Sequence, residues 1–380
     1  MSATTTPRSD LAPRVISNDP ALHEVPNGRE EEWRFTPIKQ IADFFQEQDW
    51  STIAAREAPF VQVRPADQPS EVEATAGWRA IDLPSALARS RASQVVSIAI
   101  PAEHESDEVI VVDLTAAQGG NYGRVEIAAG AFSKATIVLR HDMTADASGI
   151  IVTTVGDQAD LTVLNMYDGP RTSRHVWQWA TTVNRDARFL GLSITLGGAF
   201  VRLVPSVRYA GPGGSAQMLG AFLATDEQFQ EFRLFVDHNE PHCSSNVVFK
   251  GALSGKNTHT VWIGDVLVRR EAVGIQTYEM NRNLLLDDGP RADSVPNLEL
   301  ETGDVVGAGH ASATGRFDDE QLFYLQSRGI PETLARQLVV RGFFVDVLDK
   351  VADEQLRADV LRRIEERIGM QSWELDEEAP

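Results

Sequence analysis

The groups in this sequence best suited to chemistry are a few histidines and a single thiol. His238, His242 and Cys243 form an H-x-x-x-H-C cluster with Asp237 and Glu240 beside it. Imidazole and thiolate are good ligands for zinc or iron. On an extended strand, residues four apart share a face but stand too far apart to chelate one ion, and a turn at Pro241 would bring them closer. There is only one cysteine, which argues against a closed structural metal site. His242 and Cys243 are neighbours whose side chains leave a strand on opposite faces, so a Cys–His dyad is disfavoured. Ordinary structural roles come first for this cluster. His310 is different. It follows Gly307-Ala308-Gly309, whose small side chains leave the backbone open to close approach. A neutral imidazole can ligate iron or titrate at an interface, although taken alone His310 reads as a surface or hydrogen-bonded histidine.

Other chemistries are poorly supported. Gly251-Ala252-Leu253-Ser254-Gly255-Lys256-Asn257 resembles a P-loop with one residue missing between its glycines, and Asn257 replaces the magnesium-binding hydroxyl. No helix follows to hold a phosphate, so a turn is the better reading. Gly211-Pro212-Gly213-Gly214 reads as a turn for the same reason. No G-x-S-x-G elbow is present. Asp287-Asp288 precedes Gly289-Pro290 and fits a solvated turn, while Glu299 and Glu301 fit solvation or salt bridging better than a glycosidase pair.

The elements that must position these residues change texture along the chain. Residues 1–30 lack periodicity and read as a mobile acidic arm. Residues 31–94 read as helical: Thr36-Pro37 suits a helix start, Ile38, Ile41, Phe44 and Phe45 recur at helical spacing, and Leu83–Ala88 opens a second short helix. From about Val95 to Gly315, short runs rich in Val, Ile, Leu and Thr are broken by Gly, Asp and Asn. Small residues at Ala135, Ala159, Ala187, Ala216, Ser245 and Ala272 recur every 24 to 29 residues. Stacked β-rungs explain that period; a β-sandwich or barrel also spaces short strands this way. Residues 316–380 return to helix, with Asp318 as a cap, Gly329 as a stop and Pro331 as a restart. Leu334, Leu338, Val345 and Leu348 form an apolar stripe, followed by Leu356, Val360, Leu361, Ile364 and Ile368. Those stripes cover a neighbouring helix or a partner.

Composition narrows the partners. Of 380 residues, 55 are acidic and 35 basic, a formal charge of −20, whose field repels nucleic acid and anionic membranes. No apolar run approaches a membrane span, and the start of the chain lacks the apolar core of a signal peptide. One cysteine suits a reducing compartment, so a cytoplasmic protein is expected.

An ordered string of segments then stands out: Phe249-Lys250-Gly251, Gln276-Thr277, Asn281-x-Asn283-Leu284-Leu285-Leu286, Pro296-x-Leu298-Glu299-Leu300, Gly309-His310-Ala311 and Leu322-Phe323-Tyr324-Leu325-x-Ser327-Arg328-Gly329. It resembles the SufB/SufD family, the scaffold subunits of the SUF iron–sulfur assembly system. The low cysteine count and the Phe-Tyr-Leu-x-Ser-Arg-Gly form look SufD-like. The resemblance implies a right-handed parallel β-helix flanked by N- and C-terminal helical regions, and a non-catalytic role. It implies pairing with a SufB-like paralogue through the β-helix and binding of a SufC-like ATPase through the C-terminal helices, with homodimerisation an option for the isolated chain. His310 matches the family histidine at the SufB–SufD interface, where a transient iron–sulfur cluster would be shared rather than held stably by this chain. Many SufD chains carry Cys two residues before that histidine; here Ala308 stands there, so ligation rests on His310, and Cys243 matches no family motif. A β-solenoid enzyme acting on polysaccharide and a homo-oligomeric structural solenoid are the alternatives.

Overall fold

The computed structural model of the chain describes residue 11 and residues 15–141, 143–316 and 319–367. Part of the acidic arm (1–10 and 12–14), the Asp318 cap, Ile368 and the acidic tail therefore lie outside the described residues. Three short strands come first, β1 (Ser51–Thr52), β2 (Ala54–Ala55) and β3 (Val61–Pro65), then the helices α1 (Glu71–Ala76) and α2 (Leu83–Arg91). The long strands follow: β4 (Gln94–Ile100), β5 (Glu105–Thr115), β6 (Gly120–Ala129), β7 (Lys134–Arg140), β8 (Asp146–Val155), β9 (Asp160–Tyr167), β10 (Arg174–Val183) and β11 (Arg188–Thr195). They continue with β12 (Phe200–Tyr209), β13 (Ser215–Thr225), β14 (Phe229–His238), β15 (Ser244–Ser254), β16 (His259–Val268), β17 (Ile275–Leu285), β18 (Arg291–Leu300) and β19 (Val305–Arg316). Three helices close the described chain, α3 (Asp319–Ser327), α4 (Glu332–Leu348) and α5 (Glu354–Arg367).

Even-numbered strands from β4 to β18 stack in parallel into one sheet, and odd-numbered strands from β5 to β19 into the other. The chain thus coils between two facing sheets as a parallel β-solenoid of about eight turns, with helices towards both ends of the sequence. The open choice between solenoid and sandwich is settled by this all-parallel stacking, since sandwiches are built from antiparallel sheets.

The corners explain the period and correct its phase. Glu103, Phe132, Gln158, Asp186, Gly213, His242 and Gly274 all have positive φ. The residue after each is His104, Ser133, Ala159, Ala187, Gly214, Cys243 or Ile275, and its carbonyl accepts a hydrogen bond from the next rung wherever a next rung follows on this side through Cys243. One left-handed residue per turn therefore bends the chain at the same place in successive rungs. Of the small residues picked out in the sequence, Ala159 and Ala187 occupy this column. Ala135, Ala216 and Ser245 lie two positions further on, inside strands, and Ala272 lies three positions before its rung's equivalent.

Over the middle rungs the outer faces of both sheets are covered, which is why many of those strands read as near-continuous apolar runs rather than alternating ones. The 3-10 segment Ile38–Phe45 and α2 place Ile41, Phe44, Phe45, Leu83 and Leu87 on the even-numbered sheet. The helix expected after Thr36-Pro37 is therefore a 3-10 turn kinked at Ile41. Thr36 does not cap it; its hydroxyl donates instead to the Glu231 carboxylate, 2.6 Å away. Residues 15–30, assigned to the arm by composition, include a backbone bond from Ser17 N–H to the Ala80 carbonyl and a 3-10 turn at Pro20–Leu22. The helix expected at Leu83 is α2, started by the Asp82 carboxylate accepting from the Ser85 N–H.

On the odd-numbered sheet, α4 and α5 bury Ala335, Val340, Phe344, Val347, Leu348, Leu356, Val360 and Ile364 against Leu192, Leu219 and Leu223. Lys250 reaches out of β15 to the Phe343 carbonyl at 3.0 Å and to Asp346 at 2.5 Å. Arg363 and Arg367 hold Asp168 at 2.9 and 2.7 Å. Gly329 ends α3 in the left-handed region as expected, and Pro331 is the residue before α4 rather than its first turn.

Candidate functional site: the open end of the solenoid

The two ends of the solenoid are finished differently. At the first end, β3 runs antiparallel along β4 over five residues, and the two residues of β2 pair antiparallel with Leu114 and Thr115 at the end of β5. At the other end, β18 and β19 are the outermost strands of their sheets. Among the described residues nothing pairs with their outer edges. Along β18 and β19 no residue is fully buried, and Leu300 and Val306 are exposed. A solenoid without a cap leaves hydrogen-bonding edges and core side chains open to a partner.

The filling of the interior also changes here. Aromatic and aliphatic side chains pack the earlier rungs; Trp177, Phe189, Phe222, Phe232 and Phe249 are all fully buried. His141 and His175 are buried among them, against Tyr167 and Trp177, and towards the open end polar groups predominate. His238 hydrogen-bonds Ser245 at 2.8 Å, and Ser245 hydrogen-bonds Thr277 at 2.7 Å. Further along the same strand, the Asn283 amide donates to Asn281, Ser294 and Thr314 at 2.8, 3.0 and 3.1 Å.

Between these two networks lie Glu279 and His310. They are direct register partners on β17 and β19, so their side chains leave the sheet on the same face. His310 is on the outermost strand and 45% exposed, whereas Glu279 is fully buried. Its Oε1 stands 3.7 Å from His310 Nδ1, beyond hydrogen-bonding reach. Neither carboxylate oxygen has a hydrogen-bond partner. Burial pushes the Glu279 carboxyl up to about 9, the Asp265 charge adds to that, and the nearby Asn297 N–H pulls only weakly the other way without forming a bond. Gly264 on the facing sheet makes room: a Cβ there would overlap Glu279 Oε2 and the Trp262 ring.

The other sequence candidates are dispersed. His238 points into the core and stacks on Tyr209. His242 is the exposed left-handed corner residue. Cys243 is buried beside it, its thiol facing the Gly211 and Pro241 carbonyls at 3.6 and 3.5 Å. Burial pushes that thiol up to about 11, the opposite of an activated thiolate. Among the described residues no three His, Cys, Asp or Glu side chains converge as a metal site. Gly255 and Asn257 form a turn with positive φ, as expected for the P-loop lookalike. Asp287 accepts from the Ser254 hydroxyl and the Gly255 and Gly289 N–H groups, and Asp288 pairs with Arg316. Of the α4 stripe, Leu348 is buried in the seam with the sheet, Leu334 and Val345 are half-buried, and Leu338 is exposed.

Glu279 was not singled out by sequence reasoning. Its signal is the alternation Thr277, Glu279, Asn281, Asn283, polar at every second position, which ordinarily marks a solvated face. Only the coil direction shows that this face points inward.

The pattern found in sequence and structure agrees with known proteins. Residues 112–343 match the family model described as SUF system FeS cluster assembly, SufBD core domain. An iron–sulfur cluster assembly SufBD family protein of Mycobacterium tuberculosis is 40% identical over 364 residues, covering 93% of this chain and 91% of that protein. Its counterpart in Mycobacterium leprae is 39% identical, covering 93% of each. The chain belongs to the SufB/SufD family. Within the SufB/SufD proteins it also resembles the iron–sulfur cluster assembly protein SufD of Escherichia coli, 31% identical over 183 residues, 48% of this chain and 43% of that one. The matched core runs from within β5 into α4, so it takes in both Glu279 and His310. SUF-system iron–sulfur cluster assembly is therefore the process this SufB/SufD chain serves, and no helix among its described residues is long and apolar enough to cross a membrane.

Proposed function

We propose that this chain is a SufD-type, non-catalytic scaffold subunit. It pairs with a SufB-like paralogue through the open end of its solenoid and receives a SufC-like ATPase on α4 and α5. The observation that carries the reading is the asymmetry of the ends. One end carries antiparallel strands from the same chain, five residues of β3 along β4 and two residues of β2 at the end of β5, and the other offers two unpaired edges, a polar interior and the exposed side chains of Tyr278, Leu300 and Val306. A second solenoid of matching cross-section is the natural cap for such an end; in isolation a second copy of this chain can take that place. The exposed Leu338 offers the ATPase an apolar contact, while the buried side of α4 holds the helix to the sheet. His310 would meet the nascent cluster at the junction of the two solenoids. That cluster is cargo, shared and passed on. The reading places the assembly in the cytoplasm, away from nucleic acid and membranes.

The test is co-expression with the paralogue and ATPase of the same source, followed by affinity capture and size-exclusion chromatography. Leu300→Asp with Val306→Asp is expected to release the paralogue and retain the ATPase, and Leu338→Asp to do the reverse. His310→Ala should leave the complex whole but lower its cluster content. Capture of neither partner by the wild-type chain would overturn the proposal.

A further inference from the structure

The buried carboxylate beside His310 has no structural partner, and a fold does not ordinarily leave such a group inside. We infer that Glu279 and His310 form a two-donor site for a single divalent first-row metal ion, ferrous iron in chemical class, at the open end of the solenoid. The argument stands on three features. Both Glu279 oxygens are fully buried and free of hydrogen bonds, so their lone pairs are unspent. The side chains project from directly paired positions on adjacent strands, which fixes their mutual approach. The 3.7 Å between Oε1 and Nδ1 is too long for a hydrogen bond, yet close to the roughly 3.4 Å that separates two donors on one tetrahedral ion with bonds of about 2.1 Å.

The surroundings match that assignment. A carboxylate and an imidazole form a donor set suited to ferrous iron, manganese or zinc rather than to a soft ion needing thiolates. His310 lies on the outermost strand and is half-exposed, so the remaining coordination positions face outward, where a docked partner or water completes them. The interior behind is closed by Gly264, Trp262 and the Asn281–Asn283–Ser294 network, in which the Asn283 amide nitrogen and the Ser294 hydroxyl donate to Asn281 while Asn283 Oδ1 has no partner. Ser245 and Thr277, on the other side, are also paired. Glu279 is the carboxylate with capacity to spare, and it adds to His310 a ligand that the absence of a cysteine at Ala308 would otherwise leave missing.

This inference deepens the reading of His310 as the cluster-facing residue, and it is tested without any partner. The purified full-length chain is titrated anaerobically with cobalt(II), and the visible d–d absorption of the bound ion is recorded up to millimolar metal. The wild-type chain should bind one equivalent. Glu279→Gln, which keeps the side chain's shape, and Glu279→Asp, which keeps its charge but withdraws the donor, should each weaken binding at least about tenfold, as should His310→Ala. A wild-type chain without a cobalt band, or a folded Glu279→Gln variant binding as wild type does, overturns the site. Co-purification of the paralogue and ATPase with the Glu279→Gln chain is measured alongside. If the partners are captured but the cobalt affinity is unchanged, the two-donor site fails alone. If cobalt binds as expected but no partner is captured, the assembly role fails alone.

Discussion

Between β6 and β15 the space inside the solenoid is filled by Trp177 over Gly123 and Gly149, by Phe249 against Gly220, and by Phe222 against Gly251. Between β16 and β19 the same arrangement recurs with a different occupant: Gly264 makes room for the Glu279 carboxylate. In both regions a glycine on one rung receives a large side chain from a facing or neighbouring strand, so the backbone problem is solved identically. The side chains differ because the tasks differ. Aromatic rings in the earlier rungs hold the sheets together through buried apolar area and close packing. The carboxylate adds none of that and raises the free energy of the folded state wherever it is ionised. The body also holds buried polar atoms without a partner, both His141 ring nitrogens and Trp177 Nε1 among them, but among the described residues Glu279 is the one buried carboxylate left so.

The largest expected effect tests the stabilising half of that contrast. Trp177→Ala removes a fully buried ring from over two paired glycines that cannot refill the space. Chemical denaturation should show a loss of about 3–5 kcal/mol. His310→Ala, at the half-exposed end, should stay within about 0.5 kcal/mol of wild type in the same measurement. Equal losses at both sites would erase the distinction between body and end.

A smaller effect is expected at His238, the buried histidine that joins the polar network of the open end. Burial depresses its imidazole from the ordinary 6.5 to about 4. His175, inside the body, is depressed to about 4 by burial as well, with the Asp146 charge opposing. In each case the unfolded chain takes up the proton first as pH falls. Stability from these groups is therefore complete above pH 6.5 and is lost progressively towards about pH 4, up to roughly 3 kcal/mol for each group. Denaturation between pH 7 and pH 4 should show this fall, and His238→Gln should flatten it by one group's share. A His238→Gln profile as steep as wild type would mean that His238 is already charged in the folded protein.

How much of this was readable beforehand divides along the same line. The period left solenoid and sandwich both open, because the small residues that carry it lie partly at corners and partly inside strands, and the family-like string of residues decided for the β-helix; the helical ends were legible because Pro84 and Gly329 obey local rules. The phase was not, because the column that repeats is conformational. Phe132, Gln158, Asp186 and His242 share a positive φ and no common chemistry. His310 was reached through a family-like string of residues, but Glu279 was not. Whether an alternating polar face points to solvent or to the interior depends on how the chain closes across the two sheets, which is long-range information.

Cys243 provides the finest test of whether the corners are architecture alone. It occupies the column that the small residues Ser133, Ala159, Ala187 and Gly214 fill in four other rungs and that His104 and Ile275 fill in the remaining two. Its thiol is buried and held neutral, and its contacts are two backbone carbonyls at sulfur-length distances. Alanine already serves at two equivalent corners, so Cys243→Ala should fold with the same rung register and lose only the contacts of one sulfur atom, about 1 kcal/mol or less in denaturation. Cluster content of the co-expressed complex should be unchanged, in contrast to its fall in His310→Ala. A Cys243→Ala chain with normal stability but lowered cluster content would move sulfur chemistry from the open end into the wall of the solenoid. The division between a stabilising body and a reactive end would then fail at the corner where the sequence first suggested a metal ligand.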